Sequence, residues 1–283
     1  MTRKPRNIAL VLSGGGVRGL AHIGVLKVLR QKGIPVSMYI GTSIGALIAS
    51  LGAAGVDPAE MERIALSLRR SDLFDLNVLG LLFGKGRMRT LYKGNKFHLF
   101  LEKILPVHRF QDLPVPLYVT SVDLNSGAYI VWGTPGMTDV SIPDAVYASC
   151  ALPGIFRPQQ IDKYYYVDGS VAENLPIRIA RYHDADLILA VYLGAADESK
   201  PRQVQEEGIF SIVSRALMIQ ERMILERELE MNPTTPLVLV KPRVSVHGTL
   251  DFTDKIALIA EGERAAKEAL DHHPLLEFVR GSA

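Results

Sequence analysis

Cysteine is almost absent from this chain of 283 residues: Cys150 stands alone, so no disulfide can form within it. That fits a reducing, cytoplasmic compartment. Its neighbours Ala148, Ala151 and Leu152 are those of a small packed side chain. Acidic residues are missing from the first 56 positions, which carry Arg3, Lys4, Arg6, Arg18, Lys27, Arg30 and Lys32. Between residues 33 and 56 there is no charge of either sign. A hydropathy window takes such a stretch for a membrane span, but Gly41-Thr42-Ser43-Ile44-Gly45 falls inside it. A glycine turn in lipid would leave backbone groups unsatisfied, whereas a buried strand followed by a buried helix satisfies them. The apolar run at 8–12 is too short for a signal-peptide core and ends in glycines. Zinc-ligand spacings, a recognition helix and an aromatic stacking platform are also missing, which argues against a nucleic-acid partner.

What the chain does have is apolar content: 48% of its residues are hydrophobic, with a net charge of +2. No composition shift marks a linker, so residues 1–283 read as one domain. The charge is uneven. Lys85, Arg87, Arg89, Lys93, Lys96, Lys103 and Arg109 form a second basic stretch interrupted only by Glu102. An anionic substrate or peripheral contact with an anionic membrane fits this pattern, and so does an ordinary solvated surface.

Residues 7–12 read as a strand ending at Ser13-Gly14-Gly15-Gly16-Val17-Arg18-Gly19. Ala21, Val25, Val28 and Leu29 then recur at helical spacing up to a Gly33 cap, and 36–40 is a second strand. The apolar run 44–54 is helical. Asp57-Pro58-Ala59-Glu60 starts a further helix to about residue 70, with an N-cap and a proline at the first position. The irregular segment 78–96 suits either a lid or a loop packed on its own core. Two strands, 117–124 and 128–132, flank the hairpin signal Asn125-Ser126-Gly127. Later strands are predicted at 187–193 and 237–240, and helices at 204–231 and 254–270. In the first of these helices Ile212, Leu217, Met218, Ile219 and Met223 suit core packing or self-association. Alternating strands and helices with one hairpin predict a three-layer α/β/α fold around a mixed sheet.

Gly14, Gly16 and Gly19 satisfy the dinucleotide pattern G-x-G-x-x-G. The acidic ribose partner it requires about 20 residues on is missing, since the first acidic residue is Asp57. No lysine followed by Ser or Thr closes the run as in a phosphate-binding loop either. The same glycines suit another anion: successive free amides at a helix start can hold the oxyanion of a tetrahedral intermediate, and Arg18 can strengthen that field or hold an anionic headgroup. Gly41 and Gly45 flank Ser43 between a strand and a helix, the context of a nucleophile elbow. Strands one and two are expected to be neighbours, so both motifs face one crevice.

The base is less legible. His22 sits among small residues at a helix start, as a packed histidine would; His272 and His273 lie in a polar terminal segment, and His247 precedes Gly248 in a loop as a reserve candidate. Asp168-Gly169 follows the run Tyr164-Tyr165-Tyr166-Val167, which leaves a carboxylate at a strand end, although a bare Asp-Gly also marks a tight turn.

Taken in order, Gly14-Gly15-Gly16-x-Arg18-Gly19, Gly41-x-Ser43-x-Gly45, Ala148-Ser149-x-Ala151-Leu152-Pro153 and Asp168-Gly169 resemble the patatin-like phospholipase family, specifically bacterial members similar to the esterase domain of neuropathy target esterase. The resemblance covers about residues 7–195, leaving 196–283 as C-terminal helices and a strand packed on that core. It implies a mostly parallel sheet and a serine acyl-ester hydrolase of lipase, phospholipase or lysophospholipase type, without metal or cofactor. Ser43 would be the nucleophile and Asp168 the base, with no histidine, and the Gly14 to Gly19 amides would form the oxyanion hole. Asp123 and Asn174-x-Pro176 match shared positions without an assigned chemistry. Ser170 stands where relatives often have Gly or Ala. An unperturbed aspartate is a poor base at neutral pH, so Asp168 is expected to be desolvated or strongly bonded to Ser43. The alternative is a regulatory or scaffolding protein of the same fold that binds a lipid or a partner protein.

Overall fold

The computed structural model describes residues 5–76, 90–194, 209–230, 235–244 and 251–271. Its central strand, β1 (Ile8–Leu12), is apolar at every position and buried throughout, as a parallel strand covered on both faces must be. β2 (Met38–Gly41) and β7 (Leu187–Val191) flank it in parallel, with Leu12 opposite both Gly41 and Val191. β3 (Leu117–Asp123) continues the parallel set beyond β2, and β8 (Leu237–Val240) beyond β7. β4 (Tyr129–Trp132) and β6 (Tyr164–Asp168) run antiparallel to β3, and β5 (Gln159–Ile161) closes the edge against β6. The sheet order is β5-β6-β3-β2-β1-β7-β8, with β4 also on β3. The sheet is mixed and mostly parallel. Chain order runs in opposite directions on the two sides of β1, which opens a crevice at its carboxyl end.

Alternation along β1 splits the core in two. Ile8, Leu10 and Leu12 pack in one layer with α1 (Leu20–Gln31), α2 (Ile44–Ala53), α6 (Ile142–Cys150) and α9 (Lys255–Leu270). Ala9 and Val11 pack in the other with α7 (Ile177–Tyr182) and Leu225 of α8 (Ile209–Glu230). The sheet therefore lies between two helical layers.

The uncharged stretch 33–56 forms β2 and α2, whose apolar side chains other than Ile44 are buried in these layers. Among the described residues no helix is long and apolar enough to cross a membrane. Asp57 caps α3 (Pro58–Ser67), its carboxylate accepting Ala59 N–H at 2.9 Å. That helix stops at Ser67 rather than near residue 70. Lys255 Nζ takes the carbonyls of Ala65, Leu66 and Leu68 at 3.0, 2.8 and 2.7 Å, a cationic cap on the helix C-terminus. A one-turn helix, α4 (Arg70–Leu73), follows, and α5 (Asn95–Ile104) comes after residues 77–89, which lie outside the described residues. The 78–96 lid segment thus falls mostly outside them; within its described part Tyr92 is buried. The predicted core or self-association face of α8 divides instead. Leu217 and Met218 line a cavity, while Ile212, Ile219 and Met223 are exposed.

α1 and α9 cross closely because small residues meet there. A Cβ on Gly24 would stand 2.0 Å from the Ile259 carbonyl oxygen, and one on Gly262 would stand 1.9 Å from that of Ala21. Backbone cannot yield as a side-chain tip can. Overpacking of this kind costs about 1–3 kcal/mol, so Gly24→Ala is expected to lower the melting temperature of a chain this long by about 2–5 °C. Thermal circular dichroism checks this, and an unchanged melt would contradict the close crossing.

Candidate active site

The turn between β2 and α2 is set by contacts with β1. Thr42 N–H donates to the Leu12 carbonyl at 3.1 Å, and Gly45 N–H turns back onto the Thr42 carbonyl at 2.9 Å. A Cβ on Gly45 would lie 2.3 Å from the Leu12 oxygen, and one on Gly41 would lie 2.5 Å from the Gly45 backbone. Both motif glycines are therefore required by close backbone approach. Between them Ser43 adopts φ 56° and ψ −128°, an unfavourable conformation for a residue with a side chain. Its N–H donates to Ser149 Oγ at 2.8 Å, and Thr42 Oγ1 bonds Thr120 Oγ1 at 2.7 Å beneath the turn.

Asp168 ends β6 and is 2% exposed. Its N–H donates to the Ala151 carbonyl at 3.1 Å, and its Oδ1 accepts Ser170 N–H at 2.9 Å. Burial pushes its carboxyl up to about 6, against hydrogen bonds from Ser170 and from the Ser43 side chain that pull it down. The structure thus brings Ser43 and Asp168 together, with the carboxylate desolvated. The C-terminal turn of α6 holds both: Ser149 takes the Ser43 amide and Ala151 takes that of Asp168. Cys150 lies between these contacts, buried and beside the Ser43 hydroxyl, and burial raises its thiol well above the ordinary value. It is a neutral packed thiol.

The glycine loop leaves the end of β1 next to this pair, as expected for neighbouring strands. A Cβ on Gly14 would lie 3.0 Å from Ser43 Cβ. Gly14 N–H donates to Asn174 Oδ1 at 2.8 Å, so that amide is already engaged. Among the described residues the N–H groups of Gly15 and Gly16 have no hydrogen-bond partner. Arg18 is 6% exposed, and its Nε donates to the Gly15 carbonyl at 3.1 Å. Desolvation lowers its pKa while Glu221 and Tyr192 oppose that, and a guanidinium stays charged under such a shift. Gly19 packs instead: a Cβ there would meet the Ile44 side chain at 2.4 Å.

Of the described histidines, none lines the cavity around Ser43. His22 Nε2 lies 2.8 Å from the Ser13 carbonyl, and burial lowers its pKa to about 4, leaving it neutral and packed. His98 pairs with Asp144 at 2.8 Å, His108 faces backbone carbonyls, and His183 stacks on Tyr118. His247, His272 and His273 lie outside the described residues. Asp123 serves the hairpin, accepting from Asn125 N–H at 2.9 Å and Ser126 Oγ at 2.6 Å. Three residues without an assigned role in the sequence are present at the site: Ser149, Asn174 and Glu221. Only the first two fell in quoted motifs; nothing in the local sequence marks Glu221.

Ser43, Asp168 and the glycine loop open onto one cavity of about 760 Å³. Its far walls are apolar, formed by Leu73, Phe74, Phe97, Phe156, Leu217 and Met218. Phe156 sits between Phe74 and Phe97, with each ring centroid 5.5 Å away. The volume is that of a small-molecule or single-chain site, with polar groups among a mostly apolar lining.

The fold and site define an α/β protein of three-layer type with a serine and a buried carboxylate paired at the sheet's carboxyl edge. A family model for the patatin-like phospholipases matches residues 10–181. The chain belongs to the patatin-like phospholipase family. It is 33% identical over 195 residues to patatin-like phospholipase domain-containing protein 6 of Mus musculus, an alignment covering 68% of this chain and 14% of that protein. Lysophospholipase NTE1 of Coccidioides immitis is 29% identical over 94% of this chain and 18% of its own length. An NTE family protein of Mycobacterium tuberculosis is 31% identical over 70% of this chain and 52% of its own. The chain thus spans about half or less of these relatives. Among solved structures, VipD of Legionella pneumophila has the same fold, with a TM-score of 0.55 at 16% identity, covering 95% of this chain and 67% of that one.

Because the Asp168 carboxyl sits above its unfolded value, the folded state holds its proton more tightly than the unfolded chain does. Stability from this group is full below about pH 4 and is lost as the pH rises through about 6. Asp168→Asn removes a buried charge that wild type carries at neutral pH. The variant is expected to melt above wild type at pH 8, with the gap closing towards pH 4. Melting curves across that range test it; a variant less stable at pH 8 would contradict a desolvated, ionised Asp168.

Proposed function

We propose that this protein is a serine acyl-ester hydrolase acting on lipid esters through a Ser43–Asp168 dyad and an acyl-enzyme. The observation that carries this is the buried Asp168 carboxyl against the Ser43 side chain, both lining a mostly apolar cavity. Ser43 Oγ attacks the ester carbonyl while Asp168 takes its proton. The oxyanion is held by the Gly15 and Gly16 amides, and Arg18 adds positive field behind them. Asp168 returns the proton to the departing alcohol, and water activated by the same carboxylate hydrolyses the acyl-enzyme. A pKa near 6 supports the base role, since a carboxylate in its ordinary range would abstract the serine proton far less effectively.

The apolar walls suit an acyl chain, and the family together with the fungal relative's name supports phospholipid or lysophospholipid as the substrate class. The chain works as one domain: Leu217, Met218 and Phe252 from its C-terminal part line the same cavity as the residues of the family match. Exposed Ile212, Ile219 and Met223 on α8 support peripheral contact with a membrane surface.

Hydrolysis of a chromogenic butyryl ester by folded Ser43→Ala and Asp168→Asn is expected to fall by about a thousandfold or more in each. Below pH 6 the wild-type kcat/KM should drop about tenfold per unit, because the base must be ionised. Activity retained in Asp168→Asn, or a profile flat to pH 4, would overturn the dyad. Leu217→Trp should reduce kcat/KM for a palmitoyl ester about tenfold more than for the butyryl ester; equal losses would remove the acyl-chain assignment of the cavity.

A further inference from the structure

Glu221 lies on α8, outside the residues matched by the family model, yet it lines the same cavity as the glycine loop. Its Oε1 accepts from Asn174 Nδ2, and Asn174 Oδ1 accepts Gly14 N–H at 2.8 Å. The same carboxylate faces the Arg18 guanidinium and the Tyr192 hydroxyl. It lines both the large cavity and a small pocket shared with Glu173 and Glu228.

The chemistry of this chain of contacts is directional. The two ends of a side-chain amide are nearly equal in shape and opposite in hydrogen bonding, so Asn174 by itself could present either end to the loop. An ionised carboxylate can only accept. Glu221 Oε1 accepts from the NH2 end of Asn174 and leaves the carbonyl end for Gly14 N–H. With Asn174 reversed, its NH2 group would face the Gly14 amide donor to donor, and the loop would have to shift to relieve it. Gly14 precedes the two unpartnered amides and lies against Ser43, so its peptide sets where they point. Burial raises the Glu221 carboxyl, and Asp168 adds to this; the hydrogen bonds from Asn174 and Tyr192 and the Arg18 charge oppose it only in part.

We infer that Glu221 is a positioning residue for the reaction: it fixes the orientation of Asn174, which anchors the Gly14 amide and so aims the Gly15 and Gly16 amides at the oxyanion. Glu221 itself touches neither the nucleophile nor the carbonyl. The inference rests on the proposal that the glycine loop holds the oxyanion, and it adds that a residue of the C-terminal part of the chain controls the geometry of that loop.

The test is a donor–acceptor swap in the full chain, with kcat and KM for the butyryl ester measured for wild type, Glu221→Gln, Asn174→Asp and the double variant. Asn174→Asp sets two carboxylates against each other and should lower kcat about a hundredfold. Glu221→Gln keeps an acceptor but no longer dictates which end of Asn174 it meets, and should lower kcat about tenfold with KM within about threefold. In the double variant the new glutamine amide donates to the new aspartate, which still accepts Gly14 N–H, so kcat should recover at least about tenfold over Asn174→Asp. A purely structural role would move melting temperatures without this kcat pattern, so melts are recorded for all four proteins.

Glu221→Gln within about twofold of wild-type kcat, or a double variant no better than Asn174→Asp, would overturn the inference. Labelling by a fluorophosphonate probe separates the two levels. Wild type labelled at Ser43 with Glu221→Gln labelled at the same rate removes the positioning role alone. Wild type not labelled at Ser43 removes the dyad, and the positioning role with it.

Discussion

The close approach of the α2 N-terminus to the end of β1 is the contact on which the rest of the site depends. Gly45 rests on the Leu12 carbonyl with no room for a Cβ, and Thr42 N–H is tied to that same oxygen. Only with these backbones in contact can Ser43 take its unfavourable dihedral angles beside Gly14. The strain is offset by surroundings that leave the turn little freedom: Ser149 holds the Ser43 amide, Thr120 holds Thr42, and α2 continues directly into the core. Because β1, β2 and β7 are buried parallel neighbours, movement of this turn would disturb the sheet itself.

A second constraint is electrostatic. Asp168 and Glu221 are both carboxyls raised by burial, and the Arg18 guanidinium, lowered by burial, is set against Glu221. The arrangement sorts them into different roles. Glu221 has a cation, an amide donor and a phenol around it that oppose its desolvation, while burial and the nearby Asp168 still hold its carboxyl above the ordinary value. Asp168 has only short-range bonds from Ser170 and Ser43, so desolvation prevails and leaves a carboxyl that titrates near the pH at which a serine base must work. Two carboxyls near one loop are thus both raised by burial, and differ in which neighbours oppose it. The apolar cavity strengthens the effect by limiting the water that could solvate either charge.

Much of this was legible in the sequence where local pattern and tertiary structure agree. β1, α1, α2, the β3–β4 hairpin, β8 and α9 all follow from apolar period, turn residues or caps, and the neighbouring placement of β1 and β2 follows from their apolar runs. The helices α5, α6 and α7 lie outside the sequence expectations: Asn95–Ile104 lies in a basic stretch and Ile177–Tyr182 is under two turns long, whereas Ile142–Cys150 does carry a start signal in Ser141 as N-cap and Pro143 in its first turn. In the site, Ser43 and its glycines could be read from the elbow pattern, whereas Asp168 needed the resemblance, because Asp-Gly alone also marks a turn. Ser149 and Asn174 act through contacts with residues more than 100 positions away, and no local pattern encodes those. Glu221 looks like one more charged residue on a helix until the fold turns it towards Asn174. Gly19 shows the opposite case: it completes a phosphate-like glycine motif, yet its missing side chain makes room for Ile44.

The central claim, a covalent pathway through Ser43 driven by a buried Asp168, is tested most directly by trapping the intermediate. Wild-type protein mixed with a slowly hydrolysed aryl palmitate and quenched in acid should gain the mass of one palmitoyl group, and peptide mapping should locate it on Ser43. In Asp168→Asn the adduct should form far more slowly. A palmitoyl group found on another side chain, turnover by wild type with no adduct on Ser43, or adduct formation in Asp168→Asn at the wild-type rate would each contradict the account.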